Sequence, residues 1–358
     1  MAKNLFLCFV AILMILSIFT CDRTVLAQND TWNWRKGIPK YEEAKVRIVE
    51  DGPTLLFSDS PEMVRATGIM YQDKVLGDAR LFFHHVNDTN SLKKIAVIFR
   101  NADQYPDKIE IGRKGISKPD FDYLRAGKEV QKQYFAENKS ETHILTKNGV
   151  MEILAGDGIS VKPGQLLTGM LDFSCDKLTE VTVIMLPVEI NVETALKTLK
   201  ILPPDEGTVL RGTFPLANRL VTLKKSYKPD EGKIIGVVLA DNELDPYARG
   251  IDATTGKETI NYGNYGIVYD FSYKIKGDQK TNIRLNPWGG WFAGAGSVVK
   301  EGKEILTMFP TGSIAFGKTG TETIVVTSSK GYSDGRVFFS PPGASNLPIR
   351  FFFETIDN

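Results

Sequence analysis

One glycine-rich loop of this sequence carries two of its four tryptophans. Its letters, PWGGWF, run from Pro287 to Phe292, so Trp288 and Trp291 stand on either side of a glycine pair. Large aromatic rings beside glycines can present flat faces to a sugar ring or a protein partner, and exposed aromatics mark contact surfaces. The loop is therefore a candidate binding site, with Phe292 as its third ring.

A second aromatic stretch, NYGNYGIVY, begins at Asn261 and places its tyrosines next to glycines. We expect these tyrosines to extend the tryptophan loop, while nearby side-chain amides supply hydrogen bonds to a ligand. The predicted binding residues are Asn261, Tyr262, Asn264, Tyr265, Asn286, Trp288, Trp291 and Phe292. An alternative stays open, in which Trp288 and Trp291 close the end of a β-sandwich and face its core.

Alternating carboxylates make one weak candidate for calcium binding. Asp241, Glu243 and Asp245 alternate along the chain, and Asp252 stands at the twelfth position counted from Asp241. Calcium takes six to eight oxygen ligands, but the EF-hand loop needs glycine at its sixth position, where this chain has Pro246. An acidic surface loop is favoured, and no metal or other cofactor is predicted.

Two catalytic motifs match by letters but not by context. Residues 312–319 fit the phosphate-loop pattern, yet the β-branched residues that follow favour a strand where that loop requires a helix. Residues 331–335 fit G-x-S-x-G around Ser333, but a strand-like run follows here too, and no histidine occurs after His143 to act as its base. Neither a nucleoside triphosphatase nor a serine hydrolase is predicted.

Paired carboxylates are the remaining route to catalysis. Glycoside hydrolysis uses two carboxyl groups at a defined separation, so two acids that converged in one cleft could act on a surface glycan. The candidates are Asp120, Asp122, Asp241 and Asp245. Helix caps and turns explain isolated acids equally well. An extracellular carboxylate-dependent enzyme acting on a surface glycan is therefore the alternative to a non-catalytic binding protein.

The first 27 residues indicate export. Lys3 precedes an apolar run from Leu5 to Thr20, and residues 25–27 (VLA) provide small-residue cleavage chemistry, which is the order of a secretory signal peptide. The run is shorter than the roughly 20 apolar residues of a membrane span, although an uncleaved anchor stays an alternative. We expect a secreted or extracellular protein, wall-associated or soluble, that meets the membrane only during export.

The charge balance limits the classes of partner that are expected, and the cysteine content bears on disulfide formation. Removing Lys3, Asp22 and Arg23 from 44 basic and 43 acidic side chains leaves equal numbers of each sign. Without a basic excess, nucleic acid is disfavoured as a partner, and a cell-wall polymer, another glycan or a surface protein is expected. Cys175 is the one cysteine after the signal region. We expect it to be a small core residue rather than half of a disulfide.

Strand patterns dominate the remaining chain. Short runs rich in β-branched and aromatic residues recur at intervals of roughly 8–15 residues, separated by Gly, Pro, Asn or Asp. Helical patterns are confined to 122–137, with Asp120 or Asp122 as cap, and to 192–199. This predicts an all-β fold of two β-sandwich-like domains with one or two short helices.

A domain boundary is expected near residue 203. Pro203 and Pro204, followed by acidic residues and glycine, cannot continue a helix or a central strand. After the signal peptide (1–27) and an N-terminal arm (28–39), we place a β-sandwich domain at 40–202. A glycine- and aromatic-rich β domain then occupies 203–358.

Four stretches resemble a family of secreted Gram-positive proteins of unknown activity. They are GDARLFFHHVNDTN (77–90), NYGNYGIVY (261–269), NPWGGWFAGA (286–295) and SPPGASNLPI (340–349). Members of that family are often described through an attached copper amine oxidase-like N-terminal (stalk) domain. The resemblance implies a secreted or cell-surface β-rich protein without an established reaction, and the stalk segment itself is not found in this sequence.

Amine oxidase chemistry does not follow from that resemblance. It needs three histidine ligands and a tyrosine followed by an acid, whereas Tyr262 and Tyr265 each precede glycine. The three histidines are His84, His85 and His143. Because His84 and His85 are adjacent on a predicted strand, their side chains point to opposite faces, and we expect one to face the core and the other solvent.

Overall fold

The computed structural model describes residues 38–136, 139–154 and 157–356. The predicted signal peptide, and the predicted arm up to residue 37, lie outside the described residues. Within them, strands far outnumber helices, which confirms the predicted all-β, sandwich-like fold. No helix of the described ranges is long and apolar enough to cross a membrane.

The strands fall into three sheets. In chain order, β1 to β12 span Glu42–Glu43, Val46–Asp51, Thr54–Ser58, Met63–Val64, Gly68–Asn87, Lys93–Asn101, Asp107–Ile116, Glu141–Leu145, Val150–Glu152, Ile159–Val161, Leu166–Pro187 and Arg211–Phe214. Strands β13 to β23 span Asn218–Leu223, Ile235–Leu239, Arg249–Asp252, Lys257–Ile260, Val268–Ile275, Lys280–Asn286, Gly294–Lys300, Lys303–Phe309, Ile324–Lys330, Ser333–Phe339 and Ile349–Ile356. Helices α1 and α2 span Tyr123–Phe135 and Val192–Ala195, and Pro229–Glu231 forms a 3₁₀ turn.

A 12-stranded sheet is built around two long antiparallel strands. β5 and β11 are 20 and 22 residues long and pair from Val86 with Leu166 down to Gly68 with Met185. The path through the sheet is β10-β6-β11-β5-β3-β12-β15-β16, with β4, β7, β8 and β9 added at the sides. Cys175 is buried on β11, as predicted for a core residue.

The other two sheets pack on each other as a sandwich. One has the order β2-β13-β17-β22-β19-β20, and the other β1-β14-β23-β18-β21. Phe271 on β17 lies 5.4 Å from Phe351 on β23, measured between ring centroids, and both rings are buried. Rings from facing strands thus fill the space between the sheets, which is how a sandwich removes apolar surface from water.

The strands cross the boundary predicted at residue 203. β2 pairs with β13, β3 pairs with β12, and β1 pairs with β14. One hydrophobic cluster also joins Phe57 and Phe82 of the 12-stranded sheet to Phe271 and Phe351 of the sandwich. The two-proline segment marks the end of a strand, but the strands before and after it share sheets and a core. The domain division stays a prediction.

Both helices lie where helical patterns were predicted, and both are short. Asp122 caps α1 by accepting a hydrogen bond from the Arg125 backbone N–H at 3.0 Å, the N-cap arrangement. Asn191 caps α2 in the same way through Thr194. Helix α1 packs against β7, β11 and β19 and buries Val130 and Tyr134. It thereby connects the long sheet to the sandwich.

Candidate functional site

Of the predicted aromatic residues, two present their rings to solvent. Trp291 is 43% exposed and Tyr262 is 44% exposed. The ring of half-buried Tyr247 meets Tyr262 edge-on at 5.7 Å between centroids. We call Trp291, Tyr262 and Tyr247 the aromatic patch. Phe292, in contrast, is buried against Phe316 and belongs to the core, so its ring presents no face to solvent.

Trp288 partly covers the end of the sandwich. Its ring lies 4.4 Å from the guanidinium carbon of Arg350, which is buried and donates a hydrogen bond from Nε to Asn286 Oδ1 at 3.0 Å. A guanidinium over an indole face is a stabilising cation–π contact. The open alternative for the tryptophans is therefore answered separately for each: Trp288 packs on the fold, whereas Trp291 projects from it.

The three predicted amide donors are buried and satisfied within the fold, which corrects their assignment to a ligand. Asn261 Nδ2 donates to Tyr265 O at 2.8 Å, and Asn264 Oδ1 accepts from Ala248 N at 2.9 Å. Asn286 Nδ2 donates to the backbone carbonyls of residues 320 and 322, at 3.0 and 2.9 Å. Asn264 also has a φ of 54°, a left-handed conformation that asparagine tolerates.

One segment holds both aromatic loops. We call residues 341–348 the linking segment. Ser345 O accepts a hydrogen bond from the Tyr265 hydroxyl at 2.7 Å, and the adjacent Asn346 N–H donates to Trp291 O at 2.8 Å. The two loops that the sequence predicted to act together are therefore fixed to neighbouring residues of the same segment.

A group of acids that no sequence motif marks lies next to His84, which packs under the linking segment. We call Asp59, Glu62 and Asp205 the acid cluster. Asp205 Oδ2 accepts hydrogen bonds from Ser60 Oγ at 3.0 Å and from Glu62 N at 2.9 Å. Asp59 is 8% exposed, and its Oδ1 has no hydrogen-bond partner among the described residues. Pairing of β3 with β12 brings these distant positions together.

Two acids of this cluster, Asp59 and Glu62, have pKa values above those of ordinary carboxyl groups. Burial raises the pKa of Asp59 well above its usual range, and the charges of Glu62 and Asp205 raise it further. Burial, and then the charge of Asp205, raises the pKa of Glu62. The pKa of Tyr265 is raised chiefly by burial, with contributions from Asp59 and Glu62. The charges of Asp59 and Glu62 thus act on Tyr265, which lies in the same loop as Tyr262 of the aromatic patch.

Both adjacent histidines are buried, which corrects the prediction that one faces solvent. His85 Nδ1 donates to Pro61 O at 2.9 Å, because a carbonyl only accepts, and its Nε2 then accepts from Ser58 Oγ at 2.8 Å. His84, on the opposite face of β5, lies under the linking segment and is 3% exposed. Burial lowers the pKa of His84 to about 3 and of His85 to about 4.

The other predicted acids form hydrogen bonds or ion pairs with residues of the fold. Asp120 accepts two hydrogen bonds from the Arg125 guanidinium, and Asp122 is the cap of α1. Asp241 Oδ1 accepts three successive backbone N–H groups, including that of Glu243, while buried Asp245 accepts from the Tyr269 hydroxyl at 2.5 Å. Asp252 is paired with Arg211. Within the described ranges, no three His, Cys, Asp or Glu side chains are arranged so that they could hold a metal ion, so the calcium candidate has no support.

A groove of about 580 Å³ lies elsewhere, across the six-stranded sheet. It crosses β13, β17 and β22, where its lining includes Thr222, Ser272 and Arg336. Arg336 is bound to Asp270 and lies over the ring of Phe338. None of the predicted binding residues lines this groove, so it does not form part of the candidate site.

Glu152, an acid outside the candidate site, gives a pH test of the fold. Its Oε1 accepts from Val97 N at 3.1 Å, while Oε2 is buried without a described partner. Burial raises its pKa to about 7, so its stabilising contribution is complete below pH 4.5 and is lost as the pH rises through 7.

We expect Glu152→Gln to be more stable than wild type by about 1–2 kcal/mol at pH 8.5 in urea unfolding. At pH 5 the gain should disappear. Glu258→Gln, an exposed position, is the control, and equal curves for Glu152→Gln and wild type at pH 8.5 would refute the expectation.

Comparison with known proteins does not assign a family. No family model matches the chain, and no curated protein matches it either. Among solved structures, the CUB1-EGF-CUB2 domain of human MASP-1/3 aligns over 87% of this chain and 99% of its own, at 9% identity and a TM-score of 0.18. The tandem CBM22 domains of Paenibacillus barcinonensis Xyn10C align over 87% and 99%, at 9% identity and a TM-score of 0.15. Such low TM-scores carry neither fold nor function to this chain.

Proposed function

We propose that this chain is a non-catalytic, secreted or cell-surface β protein that binds a surface glycan through its aromatic patch. One observation carries the proposal: two separate loops each leave a large ring nearly half exposed, and both loops are hydrogen-bonded to neighbouring residues of the linking segment. Removing an exposed aromatic ring from water is favourable, so a ligand that covers these rings gains binding free energy.

The support for a glycan comes from the kind of surface that surrounds the rings. Flat aromatic faces stack on the apolar face of a pyranose, and the carboxyl group of Glu62 can accept hydrogen bonds from sugar hydroxyls. Because hydrogen bonds to the linking segment fix both loops before a ligand arrives, binding costs less ordering entropy than it would for mobile loops. The net charge of the chain, formally +1, gives it no overall attraction to a strongly charged polyanion.

Replacing Trp291 and Tyr262 together by alanine tests this proposal. Retention of the double variant on purified wall polysaccharide should weaken at least about tenfold, since buried aromatic anchors carry much of the energy of an interface. Tyr332→Ala is the matched control, because Tyr332 is 73% exposed but lies in the turn before β22, outside the patch. Retention of the double variant equal to that of the control would reject the proposal.

The export part of the proposal has its own test. Fractionation of the producing cells should recover the chain outside the cytoplasm, without residues 1–27. Recovery of the full-length chain among cytoplasmic proteins would contradict a secreted or surface-bound binding protein.

A carboxylate-dependent enzyme stays the second candidate because of one observation. Asp59 and Glu62 belong to one cluster in which burial and neighbouring charge raise their pKa values, as for the tuned acids of glycoside hydrolysis. The acids predicted for that role from the sequence are different ones. Release of reducing ends by wild type, abolished in Glu62→Gln, would favour this enzyme over a binding protein.

A further inference from the structure

The acid cluster has no basic partner that balances its charge. Asp205 is occupied by Ser60 and by the backbone of Glu62, and among the described residues neither Asp59 nor Glu62 forms an ion pair with lysine or arginine. Arg211, the nearby buried cation, is paired with Asp252. A ligand group that meets this cluster is therefore favoured if it carries a positive charge.

His84 supplies an independent sign that a ligand group belongs here. Its ring is almost fully buried, yet neither ring nitrogen forms a hydrogen bond within the described ranges. Most buried side-chain nitrogens in proteins have a partner, so an unpaired one calls for an explanation. The ring is held in place by stacking on Phe82 and by the linking segment, where a Cβ on Gly343 would lie 2.6 Å from Nδ1.

The distance between His84 and Glu62 is one that a single nitrogen can bridge. Nε2 of His84 faces Oε1 of Glu62 across 4.0 Å, which is too long for a direct hydrogen bond. An ammonium nitrogen placed about 2.8 Å from both atoms spans that gap and donates one N–H to each. The imidazole is neutral and can accept through Nε2 when the proton is on Nδ1, the nitrogen that packs against Gly343 and faces away from the ligand. A bond from an ammonium to a carboxylate is about twice as strong as a neutral one.

We propose that Glu62 and His84 form a subsite for a primary ammonium group, so that the glycan bound by this chain carries unacetylated amino sugars. The inference rests on the proposed glycan-binding function for the remainder of the ligand. The linking segment places the two parts side by side: Gly343 touches His84, and two residues later Ser345 holds the loop of Tyr262. A sugar stacked on the patch can therefore extend its amine toward Glu62.

Calorimetric titration of the mature chain with two oligosaccharides tests the subsite. The probes are a β-1,4-glucosamine hexamer and its fully N-acetylated counterpart, which lacks the ammonium groups but keeps the sugar rings. We expect the glucosamine hexamer to bind wild type at least tenfold more tightly. Glu62→Gln should abolish that difference, so that the variant binds both hexamers with equal affinity. Glu258→Gln, which removes an exposed carboxylate elsewhere, should keep the wild-type preference.

Each other outcome points to a specific failure. Equal affinity of wild type for both hexamers overturns the ammonium subsite and leaves glycan binding intact. Binding of neither hexamer, or of any wall polysaccharide, overturns the proposed function as well. Binding of hexalysine without binding of glucosamine hexamer overturns the amino-sugar ligand in favour of a basic protein partner. Because the wild-type comparison uses no substitution, the test does not depend on how a variant folds.

Discussion

Replacing Arg211 by methionine is expected to cost about 3–5 kcal/mol of unfolding free energy. Arg211 and Asp252 are both buried, and their Nε and Oδ2 atoms lie 3.0 Å apart. Removing the guanidinium leaves the Asp252 carboxylate without its counter-charge in a low-dielectric interior, which is the costly way to break a buried ion pair.

The guanidinium of Arg211 also bonds to three backbone carbonyls that come from different parts of the sheet. Its Nη1 donates to Ser60 O, Met70 O and Leu202 O, and its Nη2 donates to Thr254 Oγ1 at 2.7 Å. Ser60 in turn bonds Asp205, so the loss of Arg211 should disturb the acid cluster as well as the fold. Urea unfolding followed by tryptophan fluorescence measures the first effect.

Two further variants decide whether the buried charge is the cause. Arg211→Met with Asp252→Ala removes both charges and should recover a substantial part of the lost stability, because no unpaired carboxylate remains. Arg65→Met removes a surface partner of Asp88 and should leave the unfolding curve unchanged. A double variant no more stable than Arg211→Met would show that the carbonyl contacts, and not the Asp252 charge, dominate.

The fold class could be predicted because it depends on local patterns. Alternating and apolar runs predict strands wherever the chain is half-buried, and Asp122 before an amphipathic run predicts the start of α1. The strand expected after the phosphate-loop letters is likewise found, since the next element after residue 319 in the described part of the chain is β21. These conclusions need only the residues within one turn or one strand.

The candidate site could be predicted only in part, because it depends on strand pairing. The stretches around Trp291 and Tyr262 were found from their own composition, and the structure attaches both to one segment. The acid cluster joins residues 59 and 205, which approach only through the pairing of β3 with β12. The sequence suggests that the amide of Asn264 binds a ligand, yet in the structure this amide forms hydrogen bonds with the backbone of residues 246 and 248.

Replacing Gly127 by alanine is expected to destabilise the protein by about 2 kcal/mol, against the usual preference of helices. Gly127 lies within α1, where alanine in place of glycine ordinarily gains about 1 kcal/mol. A Cβ at this position would stand 2.1 Å from Gly343 O, a backbone atom that cannot rotate away. Overpacking of this kind costs about 1–3 kcal/mol, occasionally more, and so close a backbone contact belongs at the upper end.

Whether Gly127→Ala raises or lowers the stability shows whether the contact between α1 and the linking segment positions the candidate site. If α1 presses on the linking segment as the geometry indicates, Gly127→Ala shifts that segment, lowers the melting temperature and weakens glycan retention together. Gly112→Ala on β7 is the control, since its Cβ would meet Asp172 O at an ordinary 3.6 Å and should change neither measurement appreciably. A Gly127→Ala variant that melts above wild type would mean that helix propensity prevails. The contact between α1 and Gly343 would then have no part in positioning Trp291 and Tyr262.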